Sequence, residues 1–370
     1  MKVLHLISGG ETGGSKNHLI SLLQQFNKEE IILGVFQEGK LSEEAREIGL
    51  PVVLFGQTSR YDFSVLKKIK TLIKEQQVTI VHTHGPRANL FTYFTKKQVN
   101  FKWITTVHSD PSKDFIKGGV KGKVFTWLNM KVLKEIDYFF AVSNRFKEML
   151  VKFGLESNKI FVIYNSILFE GVYEKKITRD EIGLSETDFV ITMVARLHPI
   201  KGHELAFESI NELSKEGYNQ VKLILIGDGP IESELKQKVE RLQLSEKIKF
   251  LGFQKDVHSY LALSDVKLLA SYSESFPLVI LESARAETPV ISTDVGGVKD
   301  LISDDRFGWV VPVGEVEGIT TAIKEAIEDK EKGVLKEKAN RLKNRAIKEY
   351  SLQRLYNDTY STYLKIKDEI

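Results

Sequence analysis

Residues 266–293 read VKLLASYSESFPLVILESARAETPVIST. Two short runs rich in Val, Ile and Leu, VKLLASY and PVIST, bracket LVILESARA, which is too long for one strand and carries its apolar residues at helical spacing. Pro277 suits the first helical position and Ser275 the cap, which puts Glu274 in the loop and Glu282 more than a turn inside the helix. Strand, loop, helix and strand in this order predict a parallel sheet covered by helices.

The same alternation extends in both directions. Upstream, FVITMVARL, VKLILIGDG and KIKFLGF read as strands, with LAFESINELSKEG and IESELKQKVERLQ as helices between them. An earlier series, KVLHLIS, IILGVFQ, TIVHTH, KWITTVH and DYFFAVS, alternates with helical stretches such as HLISLLQQF and FSVLKKIKTLIKE. Two doubly wound α/β halves follow, with a boundary near Ser166–Arg179. The expected domains are residues 1–168, residues 169–350 and a final helical stretch, 351–370, laid across the domain junction. Ligands of such sheets sit beyond the carboxyl ends of the strands, so two facing sheets are expected to bind in the cleft between them.

The 370 residues are 42% hydrophobic and contain no cysteine. A disordered chain, a disulfide scaffold, a thiolate nucleophile and a Cys-ligated zinc are thereby excluded. The net charge of +3 conceals an asymmetry: residues 1–170 carry 24 basic and 16 acidic side chains, residues 171–370 carry 29 and 34. No run approaches about 18 apolar residues, and the opening MKVLHLISGG reaches glycine too early for a signal-peptide core. A cytoplasmic protein is expected. The stretch KDFIKGGVKGKVFTWLNMKVLKEID mixes six lysines with Phe115, Phe125, Trp127 and Leu128. It suits either an anionic membrane surface, on the inner face of the cell membrane, or a solvated face over core aromatics. No nucleic-acid recognition motif accompanies the charge, and nucleic acid is not an expected partner.

Several turns carry candidate chemistry. SGGETGGSKNH has the wrong order for a Walker loop and for G-x-G-x-x-G, but Gly13 and Gly14 permit close backbone approach before a helix N-terminus. The alternative is an ordinary glycine-rich turn. His82, His84 and His108 are expected at strand ends; a three-His zinc site is conceivable, though no carboxylate-rich surroundings support it. His108 in TTVHSD can donate to a hydroxyl or carry a proton, or simply be satisfied by local backbone. In VARLHPIKG, Arg196 and Lys201 at a strand end suit a diphosphate, or else are solvated surface charge. Were the whole stretch helical, the eight residues from Glu274 to Glu282 would span at most about 12 Å. Glycosidase carboxylates must flank one bond at closer range, so these two suit different ends of an elongated ligand.

Taken together, GGETGGSKNH, TTVHSD, VARLHPIKG, IGDGP, FLGFQKDV and the Glu274–Glu282 block followed by STDVGG resemble glycosyltransferase family 4, retaining enzymes of the GT-B fold. The resemblance implies a nucleotide-sugar donor, UDP-linked by default, bound by the second domain, and a lipid-linked or glycan acceptor bound by the first. It places Arg196 and Lys201 on the diphosphate, Glu282 on the ribose, and Glu274 on the transferred sugar with the amides of Phe276, Leu278 and Val279. His108 would sit beside the reacting sugar and Gly14 near the phosphate, while Gly227, Phe253 and Gln254 would border the base. The absence of D-x-D matches a metal-independent family that needs no cofactor. Glu287, Lys299 and Ser275 depart from the family pattern and bear on donor identity. A catalytically silent paralogue that supports a partner transferase, and a nucleotide-sugar epimerase of the same architecture, are the competing functions.

Overall fold

The structure is a computed structural model. It describes residues 1–11, 14–59, 62–115, 119–171, 173 and 176–368, and only the backbone of residues 14 and 15. Two compact units share the chain: Met1–Ser166 with Leu352–Ile370, and Ile167–Ser351.

The first unit holds seven strands: β1 (Val3–Ile7), β2 (Ile31–Val35), β3 (Val52–Leu54), β4 (Ile80–His84), β5 (Lys102–Val107), β6 (Tyr138–Ala141) and β7 (Ile160–Val162). They lie in the order β3-β2-β1-β4-β5-β6-β7, and every pairing is parallel. Every residue of β1, β2 and β4 is buried, as helices on both faces require. The second unit has β8 (Phe189–Val194), β9 (Val221–Ile226), β10 (Ile248–Phe250), β11 (Val266–Leu269), β12 (Val290–Thr293) and β13 (Trp309–Val311). Their order is β10-β9-β8-β11-β12-β13, again all parallel. The strand order reverses between β1 and β4 in one sheet and between β8 and β11 in the other. Those two switch points are where open α/β sheets bind ligands.

Three strands escape the sequence pattern: β3, β7 and β13 have three residues each and lie at sheet edges. β10 is as short and also lies at an edge, yet it falls within the expected run KIKFLGF. The helix Leu278–Arg285 also differs from its expected start. Pro277 is the cap rather than the first helical residue, and Ser275 makes no side-chain cap bond. The Ser275 carbonyl instead accepts from Gly297 N at 3.1 Å, which ties the loop before the helix to the STDVGG turn.

The final helix, Leu352–Asp368, is expected from sequence to lie across the junction. Its apolar stripe, Leu355, Tyr363 and Ile366, is buried in the core of the first unit with Ile7, Leu33 and Ile104. The Tyr363 ring stacks on Phe140 of β6 at 5.8 Å. Each such side chain contributes about 1.5–3 kcal/mol on burial. The second unit buries Ile191, Leu223, Leu268 and Ile291 against Phe207, Ile210 and Ile323 on one face. Val190, Ile224 and Ile226 meet Tyr260 and Leu263 on the other.

One glycine controls the approach to the second switch point. Gly202 has φ +67°, and a Cβ there would lie 2.0 Å from the carbonyl oxygen of Ala270, directly after β11. Only glycine lets the turn after Lys201 press so closely on that strand end. Gly202→Ala is expected to lower unfolding stability by more than about 1–2 kcal/mol, since clash adds to left-handed strain. A chemical-denaturation midpoint equal to that of the parent would contradict this packing.

Candidate functional site

In the second unit, the chain leaving β8 carries Arg196 and Lys201, and the chain leaving β11 carries Ser271 and Glu274. Lys201 Nζ donates to Glu274 Oε1 at 2.5 Å, and Ser271 Oγ donates to the same oxygen at 2.7 Å. Both ends of the ion pair are largely withdrawn from water, and the carboxylate is fixed through its Oε1 oxygen. An ammonium has three donors, so Lys201 keeps two for another anion. Arg196 is exposed and has no carboxylate partner among the described residues. Leu278 and Val279 open the helix Leu278–Arg285, and the N–H groups of a first turn have no intrahelical acceptor. Phe276 turns away, buried against Tyr350 with ring centroids 5.4 Å apart; it contributes packing, and any ligand contact would fall to its backbone.

Glu282, half-buried in the second turn of this helix, is held above the usual carboxylate range by burial, against the pull of Arg285 and Lys267. The sequence pattern overlooks Lys267. It lies inside β11, fully buried, and its Nζ has no hydrogen-bond partner among the described residues. Burial lowers its pKa to about 7, although the charges of Glu274 and Glu282 oppose the shift. A lysine within a run expected to be covered on both faces was the available signal, because an uncompensated buried ammonium conflicts with that position.

Two further turns border this site. Gly227, directly after β9 with φ +132°, donates its N–H to the Gly252 carbonyl at 2.8 Å, which joins the IGDGP turn to the FLGFQ turn. Beyond β10, Phe253 is 67% exposed, a large ring with no core to fill. Gln254 is turned back, donating through Nε2 to the Leu251 carbonyl at 2.7 Å.

In the first unit, the turn after β1 already holds an anion. Glu11 accepts from Gly9 N at 2.7 Å and from Ser8 N at 3.1 Å. Gly13 lies outside the described residues, and Gly14 begins the following helix, Gly14–Leu23. His84 is the last residue of β4 and His108 follows β5, as expected for strand ends. His82 is not at the rim: it sits in the middle of β4, completely buried. His5 of β1, rather than His108, completes a close trio with His82 and His84, with one nitrogen from each within 4.8 Å of the others. Every ring nitrogen of the trio already has a protein partner, including Thr106, Tyr363 and His108. A metal ion there would displace bonds the chain already makes.

Beside this turn a cavity of about 410 Å³ is lined by Ser8, Phe63, Arg87, Phe91, Phe125 and Leu128. The helix Gly119–Leu133 turns Phe125, Leu128 and Val132 toward it. The same helix exposes Val120 and Trp127, at 80% and 57%, with Lys131 Nζ 4.2 Å from the Trp127 ring centre.

Comparison with known proteins matches both halves of the chain to glycosyltransferase families. The model described as Glycosyltransferase Family 4 matches residues 12–168, and that described as Glycosyl transferases group 1 matches residues 174–349. The chain is a family 4 glycosyltransferase. It is 26% identical over 285 residues to the N-acetyl-alpha-D-glucosaminyl L-malate synthase of Bacillus anthracis, covering 73% of this chain and 71% of that protein. With the UDP-Gal:alpha-D-GlcNAc-diphosphoundecaprenol alpha-1,3-galactosyltransferase of Escherichia coli it shares 24% identity, over 78% of this chain and 77% of that enzyme. HepE of Anabaena, solved in complex with UDP, superposes with a TM-score of 0.85 at 21% identity, covering 99% of this chain and 100% of that one. The fold is accordingly that of the GT-B glycosyltransferases, with a parallel sheet in each unit. Among the described residues, no helix is long and apolar enough to cross a membrane.

Lys267 generates a test independent of substrate. Its folded pKa of about 7 lies below the ordinary 10.5, so between those values the unfolded chain holds a proton that the folded chain lacks. Stability therefore rises with pH across that window, and the full cost of the buried ammonium is borne below about pH 7. Lys267→Met is expected to stabilise the protein by about 1–4 kcal/mol at pH 6 or so, with the gain shrinking toward pH 10. Denaturant titrations showing no gain at either end would contradict a buried, unpaired lysine.

Proposed function

We propose that the protein transfers a sugar, with retention of anomeric configuration, from a UDP-sugar to a lipid-linked or glycan acceptor in cell-envelope or exopolysaccharide synthesis. The observation that carries this reading is the Lys201–Glu274–Ser271 cluster at the second switch point, with Arg196, which has no carboxylate partner among the described residues, on the same chain leaving β8. There, cations suited to a diphosphate adjoin a fixed carboxylate suited to a sugar hydroxyl. As the sugar–phosphate bond breaks, positive charge develops on the ring and negative charge on the departing diphosphate. Arg196 forks two phosphate oxygens, Lys201 adds a point charge, and the first-turn amides of Leu278 and Val279 add oriented N–H groups. Glu274 holds the sugar through Oε2, Glu282 takes the ribose hydroxyls, and the base lies against Phe253 with the Gly227 and Gln254 turns at its edge. The cations and amides do the work for which other transferases use a divalent ion.

In this reading the first unit holds the acceptor, and His108 stands beside the reacting sugar. Gly14, which opens its helix, lies near the phosphate. None of the assigned carboxylates is placed as a nucleophile, so the leaving phosphate takes the proton of the attacking acceptor hydroxyl on the same face. UDP complexes of a structural neighbour and the lipid-diphosphate acceptor in the name of a relative support the choice of donor and acceptor class. The protein works in the cytoplasm, against the inner face of the membrane, with the exposed apolar ridge of Gly119–Leu133 and its lysines docking on anionic lipid.

Two experiments test this reading. With a panel of nucleotide sugars, Arg196→Ala is expected to lower kcat by about 10²-fold or more, as loss of a transition-state donor does, while Glu282→Ala chiefly raises the donor KM. Nucleotide binding without turnover of any donor would instead support a silent paralogue, and a glycosyl adduct trapped on an acidic residue would overturn the same-face route. In flotation with vesicles, binding is expected only with anionic lipid and is lost in Trp127→Glu; equal binding to neutral vesicles would exclude electrostatic docking.

A further inference from the structure

Four histidines of the first unit, with Thr106 and Tyr363, form a single unbranched line of polar contacts. Thr106 Oγ1 meets His82 Nε2 at 2.7 Å, and His82 Nδ1 meets the Tyr363 hydroxyl at 2.5 Å. The hydroxyl continues to His5 Nε2 at 3.4 Å, His5 Nδ1 to His84 Nε2 at 3.2 Å, and His84 Nδ1 to His108 Nε2 at 3.4 Å. Strand register builds the line: His5 pairs with His82 across β1 and β4, and His84 pairs with Thr106 across β4 and β5. Tyr363 enters from the final helix, far along the chain.

Each of the six groups carries one shared proton when neutral, and each of the five links requires one. The direction of any single link therefore fixes all the others. Burial holds the four imidazoles well below their usual range and Tyr363 well above its own, so all stay neutral near pH 7. The shortest contact of the line is that of Tyr363 with His82, and a phenol gives its proton to an imidazole nitrogen more readily than it accepts one. With Tyr363 donating to His82 Nδ1, the His82 proton sits on Nε2 and goes to Thr106. On the other side the Tyr363 oxygen accepts from His5 Nε2–H, His5 Nδ1 accepts from His84 Nε2–H, and His84 Nδ1 accepts from His108 Nε2–H.

We propose that Tyr363, acting through His5 and His84, fixes the tautomer of His108: the proton is held on Nε2, and Nδ1 is left as a bare acceptor for a substrate hydroxyl. Tyr363, His5 and His84 are positioning residues, and His108 is the group they present at the strand end, half-buried. That the hydroxyl belongs to a sugar rests on the functional reading above; the tautomer does not. Every ring in the line other than His108 is buried, with at most 3% exposure, so solvent is a poor competitor for their partners.

The test is nitrogen NMR of the full chain labelled with [15N]histidine, which distinguishes the protonated from the bare ring nitrogen without substrate. The parent is expected to show His108 as one tautomer, protonated on Nε2. Tyr363→Phe removes both the donor to His82 and the acceptor for His5, and His108 is expected to populate both tautomers. His84→Gln, which severs the line next to His108, is expected to do the same should the first variant fold poorly. Tyr360→Phe is the control: it lies on the same helix but bonds Glu30 at 3.4 Å, and it should leave the His108 resonances unmoved. An Nδ1–H tautomer in the parent, or a His108 spectrum unchanged in folded Tyr363→Phe or His84→Gln, overturns the proposal. If instead the tautomer responds as expected while His108→Ala transfers sugar at the parental rate, the line stands and the placing of His108 at the reacting sugar fails.

Discussion

The arrangement of this protein depends on one constraint of parallel sheets: strands of a doubly wound sheet end together, and where their order reverses the loops part to leave a crevice. Both sheets obey it, between β1 and β4 and between β8 and β11. Arg196 and Lys201 are carried by the chain leaving β8, Ser271 and Glu274 by the chain leaving β11, Glu282 by the helix that follows, and His108 by the chain leaving β5. The turns cannot spread, because glycines bring them into contact with neighbouring backbone, as Gly202 does at Ala270 and Gly296 does at the carbonyls of Glu274 and Ser275. The rigid strand ends therefore position loops that could not hold their geometry alone.

Electrostatics at the second switch point follow from that packing. Lys201 and Glu274 form a close ion pair at 2.5 Å in a partly buried setting. An ion pair there contributes little to stability once desolvation is counted. Its value is in orientation: it fixes one carboxylate oxygen and leaves charge on both partners for a ligand. Lys267 beneath them lies at a stability cost and raises the local positive potential when protonated, next to two glutamates that oppose its deprotonation. The first unit uses the opposite strategy, with neutral imidazoles sharing protons rather than charges.

Much of this was legible in the sequence because central strands and their helices are long enough to show a period. The ten strands expected from apolar runs are all present, and the residues of VARLHPIKG and of the Glu274–Glu282 block lie on the loops and helix their spacing implied. The edge strands β3, β7 and β13 were not legible, although β10, as short and also at an edge, was. Nor was the cap of Leu278–Arg285, because the Ser275 carbonyl is engaged by a turn more than twenty residues later. His82 was misplaced, and the His5–Tyr363 contacts went unseen, for a similar reason. Alternation places His82 and His84 on one face, but only the β1–β4 register brings His5 beside His82, and only the final helix brings Tyr363. Sequence separation of more than 270 residues leaves no local pattern to read.

The claim on which the rest depends is that a nucleotide diphosphate binds at the second switch point. Hydrogen exchange of the full chain, followed by mass spectrometry with and without UDP, tests it directly. The expected result is slower exchange in peptides covering Arg196–Lys201, Gly227–Gly229 and Ser271–Glu282, where free amides gain acceptors and loops lose freedom. Unchanged exchange in all three segments at saturating UDP, or protection confined to the first unit, would contradict it.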